Sequence, residues 1–117
     1  MSAKVMSPIA EQNILREMTE RIVREVAPAK IILFGSRARN DSKEVSDFDL
    51  LVVQDEPFPS QQARLQKTAQ IYERLADLGV GKDILFCSRA FVEKWRDSLN
   101  HVVGRACREG RLLYERN

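Results

Sequence analysis

The chain has 117 residues, of which 44% are hydrophobic and 31% charged, a composition typical of a globular protein and a length that suits a single domain over residues 1–117. Its 19 basic and 17 acidic residues give a net charge of only +2, so we expect no direct contact with nucleic acid. No stretch approaches the roughly 18 apolar residues of a membrane span, and the N-terminus lacks the apolar core of a secretion signal. We therefore expect a cytoplasmic protein without a membrane partner.

The first helix and the first strand are predicted by a change in the spacing of apolar residues. Pro8 marks the first turn of a helix that Pro28 ends. The apolar stripe of this helix has helical spacing and contains Ile14, Leu15, Met18, Ile22, Val23 and Val26. Four consecutive apolar residues, 31–34, stopped by Gly35, predict a buried strand instead. The polar residues 37–46 predict a loop with at most one helical turn.

The rest of the chain predicts two more strands and two more helical segments. Residues 47–53, with the sequence DFDLLVV, predict a second buried strand, and Ser60 predicts the N-cap of a second helix. The stripe of that helix contains Leu65, Ala69, Tyr72 and Leu75. Asp83 enters a third apolar strand, and a last helical segment ends at Gly110. Its stripe contains Val92, Trp95, Leu99, Val102, Val103 and Ala106.

The order of these elements is helix, strand, strand, helix, strand, helix, which predicts an α/β (α+β) fold in which helices pack on a small mixed sheet. Cys87 and Cys107 do not have metal-ligand spacing, and in a reducing compartment we expect both to be small core residues rather than functional thiols. We expect His101, the single histidine, to be a surface or half-buried helix residue.

Asp47 and Asp49 occupy alternate positions at the entry to the second strand. Because side chains alternate along a strand, both carboxylates point to one face, about 7 Å apart at their Cα atoms, and Phe48 points to the other. Carboxylates this close repel each other unless a cation lies between them. Mg²⁺ suits such a pair, since it binds through one or two carboxylates together with substrate phosphates. The alternative is a pair of solvated charges at a strand entry.

Gly35 and Ser36 follow the first strand and predict an anion site. Glycine allows a sharp turn and a close approach to a ligand, while serine offers a hydroxyl and the following residues offer backbone N–H groups if a helix begins there. Arg37 and Arg39 add charged donors, although ordinary surface positions are the alternative for both. A phosphate site of this kind, facing the carboxylates, would bind a metal–nucleotide complex.

Asp83 is the best candidate for a third carboxylate. It begins an apolar strand just as Asp49 does, so neighbouring strands would bring the two together. A third carboxylate would complete a two-metal site, in which ions roughly 3.5 to 4 Å apart hold the attacking and leaving oxygens. The alternative is a carboxylate at a strand start that simply faces water.

These motifs together resemble a known family. The run LFGSRAR, residues 33–39, followed by SDFDLLVV, residues 46–53, resembles the signature of the nucleotidyltransferase superfamily and, within it, the minimal nucleotidyltransferase (MNT) family. The ending REGRLLYER, residues 108–116, is similar to that family as well. The resemblance implies the nucleotidyltransferase fold, nucleotide binding by Gly35, Ser36, Arg37 and Arg39, and catalysis and metal binding by Asp47, Asp49 and Asp83. Asn40 stands where the family usually has glycine.

The resemblance also implies an activity and a partner. The family transfers AMP from ATP to a hydroxyl acceptor with Mg²⁺, or alternatively Mn²⁺, as cofactor. MNT proteins often act as antitoxins of HEPN-type RNase toxins, some by attaching AMP to a tyrosine of the toxin. Two other readings stay open: adenylation of a small molecule or another protein, and a non-catalytic binding module that neutralises its partner by occlusion.

Overall fold

The computed structural model of the protein describes residues 6–39 and 47–117. Its helices are α1 Pro8–Val26, α2 Ser36–Arg39, α3 Gln61–Leu75, α4 Arg89–Trp95 and α5 Val102–Glu109. Its strands are β1 Lys30–Phe34, β2 Phe48–Gln54, β3 Lys82–Ser88 and β4 Arg111–Glu115, and a 3₁₀ turn, Ala76–Leu78, extends α3. The predicted loop after Gly35 thus opens with the single turn α2, whereas Asn40 lies outside the described residues.

The four strands form one mixed sheet in the order β3-β2-β1-β4, which confirms the predicted fold class. β1 is antiparallel to both β2 and β4, while β2 and β3 are parallel and are connected through α3. β2 lies inside the sheet, and its residues 50–53 are all buried. This position explains why its sequence is a continuous apolar run instead of an alternating one.

Helices cover both faces of the sheet. One face carries α1 and α3, whose side chains pack on Leu33, Leu50 and Phe86. The other carries α4 and α5, which pack on Leu51 and Val53. Alternation along β2 therefore sends successive side chains into two separate apolar layers. Each fully buried leucine or phenylalanine in these layers contributes about 1.5 to 3 kcal/mol to folding.

The first helix and the N-cap of α3 match the prediction, but the buried face of α3 does not. Ser7 Oγ accepts a hydrogen bond from the Ala10 amide and caps α1, and Ser60 Oγ does the same for α3. Leu65, predicted on the buried stripe of α3, is 53% exposed, and Ile71 is fully buried instead. The buried face of α3 therefore runs through Ile71 and Leu75.

The sequence predicts one helical segment with one apolar stripe after Ser88, but the structure has two helices there, α4 and α5. Leu99, which the single stripe would bury, is 76% exposed in the turn between α4 and α5. His101, half-buried as expected, directly precedes α5, where its Nδ1 accepts a hydrogen bond from the Val103 amide at 3.0 Å and its ring stacks on Trp95 at 4.4 Å. Gly104 allows α5 to fold back, because a Cβ there would collide with the Ser98 carbonyl oxygen.

The sequence does not predict that the C-terminal residues form a strand, but they form β4. This strand pairs with β1, with a bulge or register shift between Ile31 and Ile32. Cys87 is buried, and burial raises the pKa of its thiol to about 11, as expected of a core residue. Cys107 packs at the margin of the same apolar layer. Within residues 6–39 and 47–117, no helix is both long and apolar enough to cross a membrane.

Candidate functional site

The predicted carboxylates meet where β2 and β3 begin. Asp49 is the register partner of Asp83 across the parallel pair, and of Phe34 at the end of β1. Register partners on neighbouring strands point to the same face, so the carboxylates of Asp49 and Asp83 lie side by side. Asp49 alternates with Leu51, which places this face of the sheet on the side of α4 and α5.

Asp49 is the least exposed of the three carboxylates and is influenced by the other two. Its pKa is raised above the ordinary value, first because partial burial disfavours the charged form and then because Asp83 and Asp47 repel that charge. Arg39 acts in the opposite direction and lowers the pKa. Asp47 and Asp83 are themselves exposed, so Asp49 is the inner member of the group.

Two glycines make room for these carboxylates. A Cβ built on Gly35 would collide with the Asp49 carboxylate, and one built on Gly81 would collide with the Asp47 carboxylate. Gly35 also has a backbone φ of +77°, a conformation that residues other than glycine rarely adopt. The backbone at the end of β1 therefore lies directly against the Asp49 carboxylate.

The Gly-Ser turn leads directly into α2. The amides of Ala38 and Arg39 both donate hydrogen bonds to the Gly35 carbonyl oxygen, at 3.1 and 3.2 Å. This pattern closes the single helical turn α2, which begins at Ser36, directly after the backbone position that lies against Asp49. The predicted partners for phosphate and for metal are thus adjacent at one end of the sheet.

A small cavity of about 160 Å³ opens beside Gly35. Its lining comes from the end of β1, from α2 and from α5, and consists of Phe34, Gly35, Arg39, Val102, Arg105 and Glu109. Arg39 Nη1 lies 3.3 Å from Glu109 Oε1, an ion pair that connects α2 to α5. The sequence pattern of α5 does not predict its place in this site. The spacing of Val102, Arg105 and Glu109 indicates one helix face, but not which cavity that face lines.

The two predicted nucleotide-binding arginines lie in different surroundings. Arg39 is exposed near the carboxylates, whereas Arg37 is only 5% exposed, so the surface alternative is wrong for Arg37. The Arg37 guanidinium pairs with Glu11 at 2.5 Å and lies over the Phe48 ring, 4.0 Å from its centroid. Phe48 packs in the α1–α3 layer, so Arg37 lies behind the sheet relative to Asp49.

The donor set fits a hard divalent cation. Asp47, Asp49 and Asp83 offer carboxylate oxygens only, and Mg²⁺ and Mn²⁺ prefer such ligands. Partial burial is the first cause of the raised pKa of Asp49, and repulsion by Asp83 and Asp47 is the second, the part that a cation would offset. Among the residues that the structure describes, no group of three or more His, Cys, Asp or Glu side chains is arranged to hold a metal ion without further ligands.

Two solved structures are similar to this chain in fold. A solved structure of a candidate nucleotidyltransferase from Sulfolobus solfataricus matches with a TM-score of 0.61 and 18% identity, over 89% of this chain and 79% of that one. A toxin–antitoxin solved with AMP-PNP matches with a TM-score of 0.51 and 17% identity, over 86% of this chain and 73% of that one. At such low identity these two likenesses show the fold alone.

The sequence comparison supplies the family. The nucleotidyltransferase domain matches residues 14–102, which include both the Gly-Ser turn and the carboxylates. The chain belongs to the nucleotidyltransferase domain family. No curated protein sequence matches it significantly.

Proposed function

We propose that the protein is a Mg²⁺-dependent nucleotidyltransferase that moves AMP from ATP to a hydroxyl group. The observation that carries this proposal is the meeting of the Gly35 backbone, Asp49 and Asp83 at one end of the sheet. Gly35 and Ser36 would hold the triphosphate, with Arg39 as a charged donor. Asp47, Asp49 and Asp83 would hold Mg²⁺ or Mn²⁺, which neutralises the phosphates and aligns them for transfer.

The transfer forms one bond and breaks another at the α-phosphorus. The acceptor oxygen attacks that phosphorus, the bond to the bridging oxygen of the β-phosphate breaks, and pyrophosphate leaves. Asp83 is exposed at the start of β3 and would take the proton of the attacking hydroxyl. Asp49, whose carboxylate lies against the Gly35 backbone, would keep the α-phosphate in line with the attacking oxygen.

We further propose that the acceptor is a tyrosine of a HEPN-type RNase toxin and that the protein acts as its antitoxin. Two things support this: the MNT-like motifs of the sequence, and the fold shared with a toxin–antitoxin solved with AMP-PNP. ATP is a cytoplasmic substrate, so we propose that the reaction takes place there. Adenylation of a small molecule or of another protein is the runner-up.

Labelled nucleotides test the reaction type. The protein is incubated with Mg²⁺ and the protein encoded by the neighbouring gene, with ATP labelled either at the α- or at the γ-phosphate. AMP transfer attaches the α-label to the partner and leaves the γ-label in pyrophosphate. If instead the γ-label reaches the acceptor, the protein is a kinase and the proposal fails.

Matched variants test the site. Asp49→Asn is expected to lower label transfer about a hundredfold or more, as loss of a group that organises transition-state charge usually does. Asp55→Asn is the control, because Asp55 follows the other end of β2 and pairs with Arg89 and Arg116. If wild-type protein transfers no label to any partner, yet Asp49→Asn still neutralises the toxin, then neutralisation by occlusion replaces the catalytic reading.

A further inference from the structure

A buried ion pair lies directly behind the Gly-Ser turn. Within residues 6–39 and 47–117, Arg37 is the one charged or polar residue that is buried. It is the second residue of α2. Burying a guanidinium is costly unless its charge is paired and its N–H groups are hydrogen-bonded. We therefore expect the groups that contact the Arg37 guanidinium to hold the short helix α2 in place.

The contacts of Arg37 connect three elements. Arg37 itself belongs to α2, Glu11 belongs to the first turn of α1, and Phe48 is the first residue of β2. Phe48 stands between Asp47 and Asp49 in the sequence, but its side chain enters the opposite layer. Arg37 therefore fastens the turn to the back of the strand segment that presents the carboxylates on its front.

Glu11 is itself firmly placed. Its amide donates a hydrogen bond to the Ser7 carbonyl oxygen at 2.9 Å, and the Ser7 hydroxyl caps the same helix end. Four residues later, Leu15 is buried and anchors this part of α1 on the sheet. Glu11 is thus a fixed carboxylate, and its 24% side-chain exposure leaves the pair with Arg37 poorly screened by solvent.

We propose that Glu11 is a positioning residue for nucleotide binding, acting through Arg37 to hold the Gly35–Ser36 turn against Asp49. No motif in the sequence singles out Glu11, and the family resemblance implies nucleotide binding for Arg37. The functional half of this inference rests on the proposed function, because it requires that the turn binds the triphosphate. The structural half, that Glu11 holds the turn, can be tested without nucleotide.

Amide hydrogen exchange tests the structural half on the full chain. The amides of Ala38 and Arg39, which bond to the Gly35 carbonyl, report whether the turn is held. In Glu11→Gln we expect both amides to exchange about tenfold faster than in the wild type, while the core amide of Leu51 stays unchanged, because only the local opening becomes easier. Glu17→Gln is the matched control: it removes another α1 glutamate, one that pairs with Arg21 far from the turn.

Calorimetric titration with Mg²⁺ and ATP tests the functional half. Glu11→Gln is expected to bind ATP about tenfold more weakly, the usual cost of losing a residue that orients a binding group. Glu11→Asp, which keeps the charge but shortens the side chain, should fall between Glu11→Gln and the wild type. Glu17→Gln should bind as tightly as the wild type.

The outcomes separate the two proposals. Unchanged exchange at Ala38 and Arg39, or an equal acceleration at Leu51, overturns the inference, since the pair would then be irrelevant or merely support the whole fold. Faster turn exchange in a protein whose wild type binds no Mg–ATP upholds the positioning and rejects the proposed function. If Glu11→Gln does not fold, the exchange and affinity of Glu11→Asp decide in the same way.

Discussion

Asp49 and Asp83 are register partners on parallel strands, so two like charges lie side by side across the β2–β3 pair. The sheet gains nothing from this pair: like charges opposite each other weaken a sheet, and burial raises the pKa of Asp49 further. A protein that only needed to fold would place neutral residues here. The repulsion is understandable if the carboxylates hold a cation during function.

Replacing Asp83 should therefore make the metal-free protein more stable. In EDTA at neutral pH, Asp83→Asn is expected to unfold with a free energy about 0.5 kcal/mol higher than the wild type, a modest gain because Asp83 is exposed and screened. Thermal or urea denaturation followed by circular dichroism measures the difference. A less stable variant under these conditions would contradict the repulsion between Asp83 and Asp49.

The pH dependence of that gain has a definite sign. Because the pKa of Asp49 is raised, the folded state binds its proton more tightly than the unfolded state, and stability falls as pH rises from the ordinary carboxylate pKa through the raised one. The advantage of Asp83→Asn should therefore vanish near pH 3, about where carboxylates become protonated. Asp77→Asn is a control of opposite sign, since Arg21 lowers the pKa of Asp77 and this variant should lose stability at neutral pH.

Nucleotide affinity should depend on the metal. Without a divalent cation, three carboxylates face the triphosphate, and their repulsion is expected to weaken ATP binding at least about tenfold. Titration calorimetry with Mg²⁺, with Mn²⁺ and with EDTA measures the three affinities. Equal affinity in EDTA would show that the carboxylates do not act through a cation.

Gly35→Ala should damage both stability and nucleotide binding. Alanine at this position must adopt a φ of +77°, and its Cβ displaces the Asp49 carboxylate. We therefore expect the free energy of unfolding to fall by about 2 kcal/mol or more, with no measurable ATP binding. Gly79→Ala separates the two causes, because Gly79 also has a positive φ, +66°, but its new Cβ would have open space. The free energy of unfolding of Gly79→Ala should fall by about 1 kcal/mol, and this variant should bind ATP as the wild type does. Normal ATP binding by Gly35→Ala would mean that the turn is not part of the nucleotide site.

Tyr72 supports the start of β3. Its hydroxyl oxygen accepts a hydrogen bond from the Ile84 amide at 2.8 Å, directly after Asp83. Tyr72→Phe is expected to cost about 1 kcal/mol of unfolding free energy and to raise hydrogen exchange at Ile84. Tyr114→Phe, at the far side of the sheet in β4, should leave Ile84 exchange unchanged; faster exchange there as well would point to a general loosening.

Local patterns predicted the parts of the fold whose signals are local. The apolar runs of β1 and β2, the capping Ser60 and the alternation that puts Asp47 and Asp49 on one face are all visible in a few consecutive residues. The similar starts of β2 and β3 also predicted that Asp83 would lie beside Asp49, and the register does place them together. The roles of these residues in binding and catalysis stay predictions.

The missed features depend on contacts between distant segments. β4 is an edge strand of five residues with a bulge, so its apolar residues do not alternate regularly. The break between α4 and α5 depends on the close packing of Gly104 against Ser98, which no helical period reveals. Glu11 and Arg37 are 26 positions apart and meet only because α1 crosses behind the turn.

The segregation of the two helical layers has a consequence for which substitutions would change the acceptor. The carboxylates face the side of α4 and α5, whereas α1 and α3 pack behind them with the buried Arg37. Under the proposed function, an acceptor would approach on the α4–α5 side, where Arg105 and Glu109 line the cavity beside Gly35. Substitutions at these exposed positions would change which acceptor fits, whereas the α1–α3 layer behind the carboxylates would support the sheet in the same way for any acceptor.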